Sequence, residues 1–253
     1  MIHYKSAAEL DRMRRSARIL ADTILRVMDA VAPGRTTADL DAVAEEHIVA
    51  AGAVSNFKGY RGTYPATICT SVNDAIVHGI PSAARVLAEG DLLSLDFGCI
   101  WQGFHSDSAV SLFVGGVAPS AEAARLVMVT EAALDAAIAA VQPGARLTDI
   151  GAAIEEVATP AGLGIVREYG GHGIGRAMHE DPFIQNYGPA GRGPVLKPGL
   201  TIALEPMLNL GGEETKLLAD GWTVVTADGA LSAHFEHTVA VTEEGHEVLT
   251  ARR

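Results

Sequence analysis

Gly90-Asp91-Leu92-Leu93-Ser94-Leu95-Asp96 returns later in the chain as Gly199-Leu200-Thr201-Ile202-Ala203-Leu204-Glu205, and this pair governs how the rest of the sequence is read. Each member is a glycine followed by an apolar, strand-like run that ends on a carboxylate. Two further matches keep the same order. Val31-Ala32-Pro33-Gly34 with Asp39-Leu40 returns as Val141-Gln142-Pro143-Gly144 with Asp149-Ile150, and Asp107-Ser108-Ala109-Val110 returns as Glu236-His237-Thr238-Val239. The offsets are 109 and 110 residues for the first two matches and 129 for the third. Pro-Gly after a helix is common by itself; three ordered matches are not. A repeat of this length is too long for a solenoid unit. It predicts two α+β halves, about residues 5–115 and 119–250, related by a pseudo-two-fold axis and sharing one core, so that residues 1–253 form a single domain.

Periodicity marks the helices. Ser6 and Glu9 form a Ser-x-x-Glu capping box. Leu10, Met13, Ala17, Leu20, Ile24, Val27 and Val31 follow at three- and four-residue steps, an apolar stripe ended by Pro33-Gly34. A shorter helix is predicted over about 38–51, stopped by Gly52. Pro119-Ser120 opens the third, with Leu126, Val127, Leu134, Ile138 and Val141 on its buried side, and a fourth covers about 148–161. Strands are predicted at Ala66–Ser71, Leu92–Gly98 and Ser108–Val114, then over about 164–169, 200–210, 222–226 and 234–242.

The repeat makes a statement about acids. Asp96 matches Glu205, and Asp107 matches Glu236; all four lie inside or at the edge of apolar strand-like runs. Burying an ionised carboxylate costs several kcal/mol unless a cation or hydrogen bonds compensate. Under a pseudo-two-fold axis the four converge, and either their pKa values rise or metal ions neutralise them. For any one acid alone a strand cap or an arginine partner is the simpler explanation. For a repeat-related set the metal reading leads. Carboxylates with an imidazole suit Mn²⁺, Fe²⁺, Co²⁺ or Zn²⁺, and four carboxylates suffice for two ions roughly 3.5–4 Å apart.

Nine histidines could supply the imidazole. His3, His47 and His246 read as surface groups, while His105, His234 and His237 flank the acids and fit either a supporting or a core role. His78, His172 and His179 stand out, His172 because Gly170-Gly171 and Gly173 allow close backbone approach and unusual dihedrals that a histidine on a core strand would not need. His179-Glu180 does not continue as His-Glu-x-x-His, and no phosphate-binding loop or Gly-x-Ser-x-Gly elbow occurs. Cys69 and Cys99 are the only cysteines, which excludes a disulfide scaffold and suggests buried free thiols. With 31 acidic against 19 basic side chains the net charge is −12, so DNA and anionic membranes are not expected partners. Charged residues from Lys5 to Arg15 leave no apolar signal core, and no apolar run approaches membrane-spanning length, so a cytoplasmic location is expected.

Several motifs together resemble the type I methionine aminopeptidases of the pita-bread metallopeptidase superfamily. They are Thr70-Ser71-Val72-Asn73-Asp74-Ala75-Ile76-Val77-His78-Gly79-Ile80-Pro81, Asp96-Phe97-Gly98, Gly103-Phe104-His105-Ser106-Asp107-Ser108-Ala109, Gly171-His172-Gly173-Ile174-Gly175, Glu205-Pro206-Met207 and Phe235-Glu236-His237-Thr238. The resemblance covers about residues 5 to 250 and implies an α+β pita-bread fold around a central antiparallel sheet. It implies that Asp96, Asp107, His172, Glu205 and Glu236 hold two divalent ions (Co, Mn, Fe, Zn or Ni), with Asp107 and Glu236 bridging. Hydroxide formed between the ions would attack the first peptide carbonyl, with Glu205 as general base and acid and His78 and His179 contacting the substrate.

By the same resemblance Phe57, Tyr60, Tyr64, Cys69, Met178 and Trp222 line a pocket for the methionine side chain. The sequence departs from the family here. Tyr60-Arg61-Gly62-Thr63-Tyr64 is one residue longer than usual, Met178 stands where an aromatic is common, and Gly171 where a cysteine often precedes the histidine. The length matches the short bacterial form. The expected substrate is the initiator methionine of nascent proteins with a small second residue; transient ribosome contact and a monomeric state are also expected. Three rivals share the implied fold: an Xaa-Pro hydrolase, a binding protein without ions, and a creatinase-like amidinohydrolase, whose chemistry needs no metal.

Overall fold

The computed structural model describes residues 1–252. Helix α1 (Ala7–Ala30) begins where the sequence places it: the Glu9 carboxylate accepts from the Ser6 N–H at 2.9 Å and the Ser6 hydroxyl at 2.8 Å. Met13, Ala17, Leu20, Ile24 and Val27 are fully buried along one face, with Leu10 and Val31 half-buried at the ends. α2 (Thr37–Ala50), α3 (Ala121–Ala140) and α4 (Leu147–Ala158) complete two helix pairs, the recurrence the repeat predicts. α4 stops short of the expected 161 because the Thr159 N–H makes the last helical bond, to Glu155 O at 3.0 Å, and Pro160 has no N–H to make the next. Among the described residues no helix is long and apolar enough to cross a membrane.

All strand pairings are antiparallel. In the first half Leu92–Trp101 lies between Ile68–Val72 and Phe104–Phe113. The last strand starts earlier than the sequence suggests, because Gln102 and Gly103 (φ 48° and 78°) close a two-residue turn and the polar His105-Ser106-Asp107 continues the ladder. In the second half the order is His246–Val248, His237–Val241, Thr201–Leu204, Gly171–Gly173, Glu180–Ile184. The two sheets meet where Ala109 and Glu236 exchange backbone hydrogen bonds of 3.0 and 3.3 Å.

Two predicted strands are broken. The segment expected at 200–210 divides into Thr201–Leu204 and Met207–Asn209, because Pro206 has no N–H for the ladder. The segment expected at 234–242 divides into Ser232–His234 and His237–Val241. Glu205 and Glu236 therefore occupy breaks. The inner pieces, Met207–Asn209 and Ser232–His234, pair with each other, and Met207–Asn209 pairs on its other side with Gly164–Ile165. Thr215–Leu217 and Val224–Thr226 form an outlying hairpin that pairs with Ala75–Val77 of the first half.

Strand alternation sets which groups share a face. Leu93, Leu95 and Phe97 point into the core with Leu20 and Ile24 of α1, and Leu134, Ile202 and Val239 of the second half belong to the same apolar cluster. Asp96, paired with Ala109, and Asp107, paired with Gly98, face the other way. The helices thus cover one face of the sheet and leave the acids on the other. Cys69 and Cys99 are both free and buried.

Candidate active site

The acid-bearing face floors a cleft of about 740 Å³. Every residue singled out for a role lines it: His78, Asp96, Asp107, His172, His179, Glu205 and Glu236, together with Phe57, Tyr60, Tyr64, Cys69, Met178 and Trp222. Ligand atoms of Asp107, His172 and Glu236, all buried, lie within 4.8 Å of one another. Glu205 joins them through a 3.5 Å approach of its Oε1 to His172 Nε2. Asp96 adjoins Asp107 on the hairpin face and is the first neighbouring charge that acts on it.

The donor set fits divalent ions. Asp96 Oδ1, Asp107 Oδ1 and Glu236 Oε1 are buried without a hydrogen-bond partner, which is costly for a carboxylate unless a cation sits there. Burial pushes Asp96 up to about 7, and burial with mutual repulsion pushes Asp107, Glu205 and Glu236 well above the ordinary carboxylate range. His172 is ready as a neutral ligand: burial lowers its pKa to about 3, and its Nδ1–H donates to Gly173 O at 2.9 Å, leaving Nε2 free toward the acids.

His172 lies on a core strand, against the expectation that its glycines spare it one. None of Gly170, Gly171, Gly173 or Gly175 has a positive φ. Their role is close approach: a Cβ on Gly171 would strike Ala203 O, and one on Gly173 would strike Asp181 O, so only glycine admits both neighbouring strands.

The wall of the cleft is apolar and aromatic. Phe57, Tyr64, Cys69 and Met178 form a small buried cluster, with Tyr60, Ile80 and Trp222 against it. Tyr64 meets Trp222 edge-on at 5.1 Å between ring centroids and donates to Ile68 O at 3.0 Å. The Tyr60–Tyr64 stretch makes a tight turn with Arg61 at φ 47°, which leaves both tyrosines on the cleft. The Tyr60 hydroxyl shares a 3.0 Å hydrogen bond with His179 Nδ1, and the His172 and His179 rings are 4.3 Å apart. Burial, then repulsion from His179 once both rings take up protons, lowers His78 to about 4; burial, then Arg61, lowers His179. Both are neutral at pH 7.

Several neighbours escape the sequence. Tyr169 stacks edge-on against His78 at 5.7 Å, and Arg61, Glu168 and Phe183 stand on the rim. Tyr169 directly precedes the Gly170-Gly171-His172 run, the one local signal that could have found it. His234, left open between two roles, is 2% exposed with Nε2 3.9 Å from Glu205 Oε2. His237 instead bonds Thr250 Oγ1 at 2.8 Å. His3 is exposed but reaches the cleft mouth. His47 and His246, read as surface groups, are half-buried and bond Thr23 Oγ1 and Val141 O.

A cleft with an acidic, imidazole-bearing floor on a two-fold α+β scaffold defines a metallopeptidase, and the family model for "Metallopeptidase family M24" matches residues 11–243. The chain belongs to that family. Among curated relatives, "Methionine aminopeptidase 1" of Mycobacterium tuberculosis is 48% identical over 256 residues, covering 99% of this chain and 95% of that protein. "Methionine aminopeptidase 1" of Bacillus subtilis is 46% identical over 250 residues, covering 99% of each. The crystal structure of a methionine aminopeptidase from Thermotoga maritima superposes with a TM-score of 0.96 at 40% identity, covering 99% of both chains. A prolidase from Pyrococcus furiosus, at 22% identity and TM-score 0.79, covers 99% of this chain and 66% of that one, and shares the fold alone.

Proposed function

We propose that this protein is a metal-dependent methionine aminopeptidase that removes the N-terminal methionine of nascent proteins when the second residue is small. The observation that carries the reading is a single cleft with Asp107, His172 and Glu236 buried in its floor and Met178, Tyr64 and Trp222 in its wall. Relatives named methionine aminopeptidase, 46–48% identical over nearly the whole chain, support it.

Asp96, Asp107, His172, Glu205 and Glu236 hold two divalent ions. When bound, the ions supply Lewis-acid polarisation and lower the pKa of a nucleophilic water. Glu205 takes the proton of the attacking water and returns it to the leaving amine. Neutral His78 and His179 donate hydrogen bonds to the carbonyl oxygen as charge develops on it. The apolar wall of Phe57, Tyr60, Tyr64, Cys69, Met178 and Trp222 holds the flexible thioether and keeps water from it. The two halves act as one catalytic domain, supported by the apolar cluster that runs through both. The protein works as a cytoplasmic monomer in transient contact with the ribosome.

The test is hydrolysis of Met-Ala-Ser by metal-stripped protein, with and without Mn²⁺ or Co²⁺, beside Glu205→Ala. Free methionine released only with metal, and lost in the variant, is the expected result. Cleavage of Ala-Pro peptides without release from Met-Ala-Ser would move the function to an Xaa-Pro hydrolase. A protein that takes up no metal would leave a binding protein.

A further inference from the structure

The segment before α1 crosses the loop that carries Met178 and His179, and a buried ion pair joins them. Lys5 Nζ lies 2.6 Å from Glu180 Oε2, with the two side chains only 4% and 9% exposed. The other oxygen of Glu180 accepts the N–H groups of Arg176 at 2.8 Å and Ala177 at 3.2 Å. The loop from Gly175 to Glu180 is thus wound around one carboxylate, and Lys5 is the cation that lets that carboxylate be buried. Packing is equally close: a Cβ at Gly175 would strike the end of the Lys5 side chain and lie 2.9 Å from Glu180 Oε1, so a larger residue there would have to displace the ion pair. Lys5 is itself fixed, its N–H donating to Gly199 O at 2.7 Å and its Nζ to His3 O at 3.2 Å. A second pair, Arg176 to Glu9 at 2.9 Å, ties the same loop to the first turn of α1.

We propose that Lys5 is a positioning residue for the aminopeptidase reaction: through Glu180 it fixes the loop that presents Met178 and His179 to the substrate. The proposal rests on the function given above. Lys5 touches no substrate and holds no ion; it acts on where the His179 ring stands. Leaving Glu180 without its cation makes the loop trade one buried charge for another geometry, and a shift near 1 Å at a catalytic group costs about 100-fold in rate.

The experiment compares the parent with Lys5→Met, Lys5→Arg and the double variant Lys5→Met/Glu180→Gln, all reconstituted with Mn²⁺. Bound metal, kcat and KM for Met-Ala-Ser, and amide hydrogen exchange over residues 175–181 are measured. Expected for Lys5→Met is an about 100-fold fall in kcat with unchanged bound metal and a local loss of protection at Arg176 and Ala177. Lys5→Arg keeps most of the activity. The double variant regains at least tenfold over Lys5→Met, because the glutamine oxygen still accepts both N–H groups and needs no cation. Unchanged kcat or unchanged exchange in Lys5→Met overturns the proposal, as does a loss spread over the whole sheet. A parent inactive with every metal sinks the functional reading instead, and the exchange measurement then still decides whether Lys5 holds the loop.

Discussion

The two halves deliver the same kind of carboxylate by different routes. In the first half Asp96 and Asp107 stand on one unbroken hairpin, closed by the Gln102-Gly103 turn. In the second, Glu205 and Glu236 stand at strand breaks, and the residues between them leave the sheet. That excursion builds the Met207–Asn209 and Ser232–His234 pair, then an outlying hairpin whose connecting turn carries Trp222. The acids common to both halves, with His172 added by the second, make the floor proposed to hold the ions; the excursion, with the loops around Tyr60–Tyr64 and Met178–His179, makes most of the wall. Two like ions can be held by near-equivalent donors from either side of an axis. One methionine side chain needs a pocket with no such symmetry.

The division is tested hardest at the floor. Glu236→Ala is expected to abolish methionine release and to lower bound metal per chain, read by elemental analysis, and Asp107→Ala should match it as its repeat mate. Unequal metal loss between the two would break the equivalence. At the wall, Trp222→Ala should lower kcat/KM for Met-Ala-Ser by about 10- to 100-fold, the scale of a lost apolar contact in a specificity pocket, with bound metal unchanged. Metal loss in that variant would mean that floor and wall are not separable.

The floor also has a signature in pH. A carboxyl whose folded pKa is raised stabilises fully below its unfolded value, and the contribution is lost as pH rises through the folded one. Asp96 at about 7, with Asp107, Glu205 and Glu236 held well above the ordinary carboxylate range, makes the metal-free protein weaken with rising pH. The histidines lowered by burial oppose this only below their ordinary value of 6.5, where unfolded imidazoles take up protons. Above 6.5 the carboxyls act alone. The urea midpoint of chelator-treated protein is therefore expected to fall from about pH 6.5 to about pH 8 and to lose that slope when Mn²⁺ is added. A midpoint that stays flat or rises without metal would contradict the buried, unneutralised floor.

The smallest effect belongs to the first half's connector. Gly103 has φ 78° with open space where a Cβ would go, so Gly103→Ala meets no clash and costs only the left-handed backbone, about 1–2 kcal/mol. Activity at saturating metal should be unchanged. A large activity loss would give that turn a role beyond closing the hairpin.

What the sequence reveals follows the same division. The helices, the repeat and its four acids are legible because each rests on a period or on an internal match. The strand Gly171–Gly173 is hidden because glycine has little intrinsic strand preference and is there for close approach. The start of Phe104–Phe113 is hidden by polar residues: the His105 N–H donates to Gly175 O, Ser106 bonds Ser16, and Asp107 faces the floor. The wall has no internal match, so composition cannot separate Tyr64 or Met178 from ordinary core; only family likeness selected them. His234 is the case between: its neighbour Glu236 marks the region, but its 3.9 Å approach to Glu205 depends on the break at Pro206.

The backbone bonds between Ala109 and Glu236 also fix an order of events during synthesis. A chain emerging from its N-terminus completes the Asp96–Asp107 hairpin with most of the second half still unmade. Long-range pairing closes only after the intervening chain is available. Until Glu236 arrives, the two aspartates face solvent or each other without the donors needed to share ions. The proposed catalytic centre is therefore among the last features a growing chain acquires, and a half-made copy lacks the donors to assemble it.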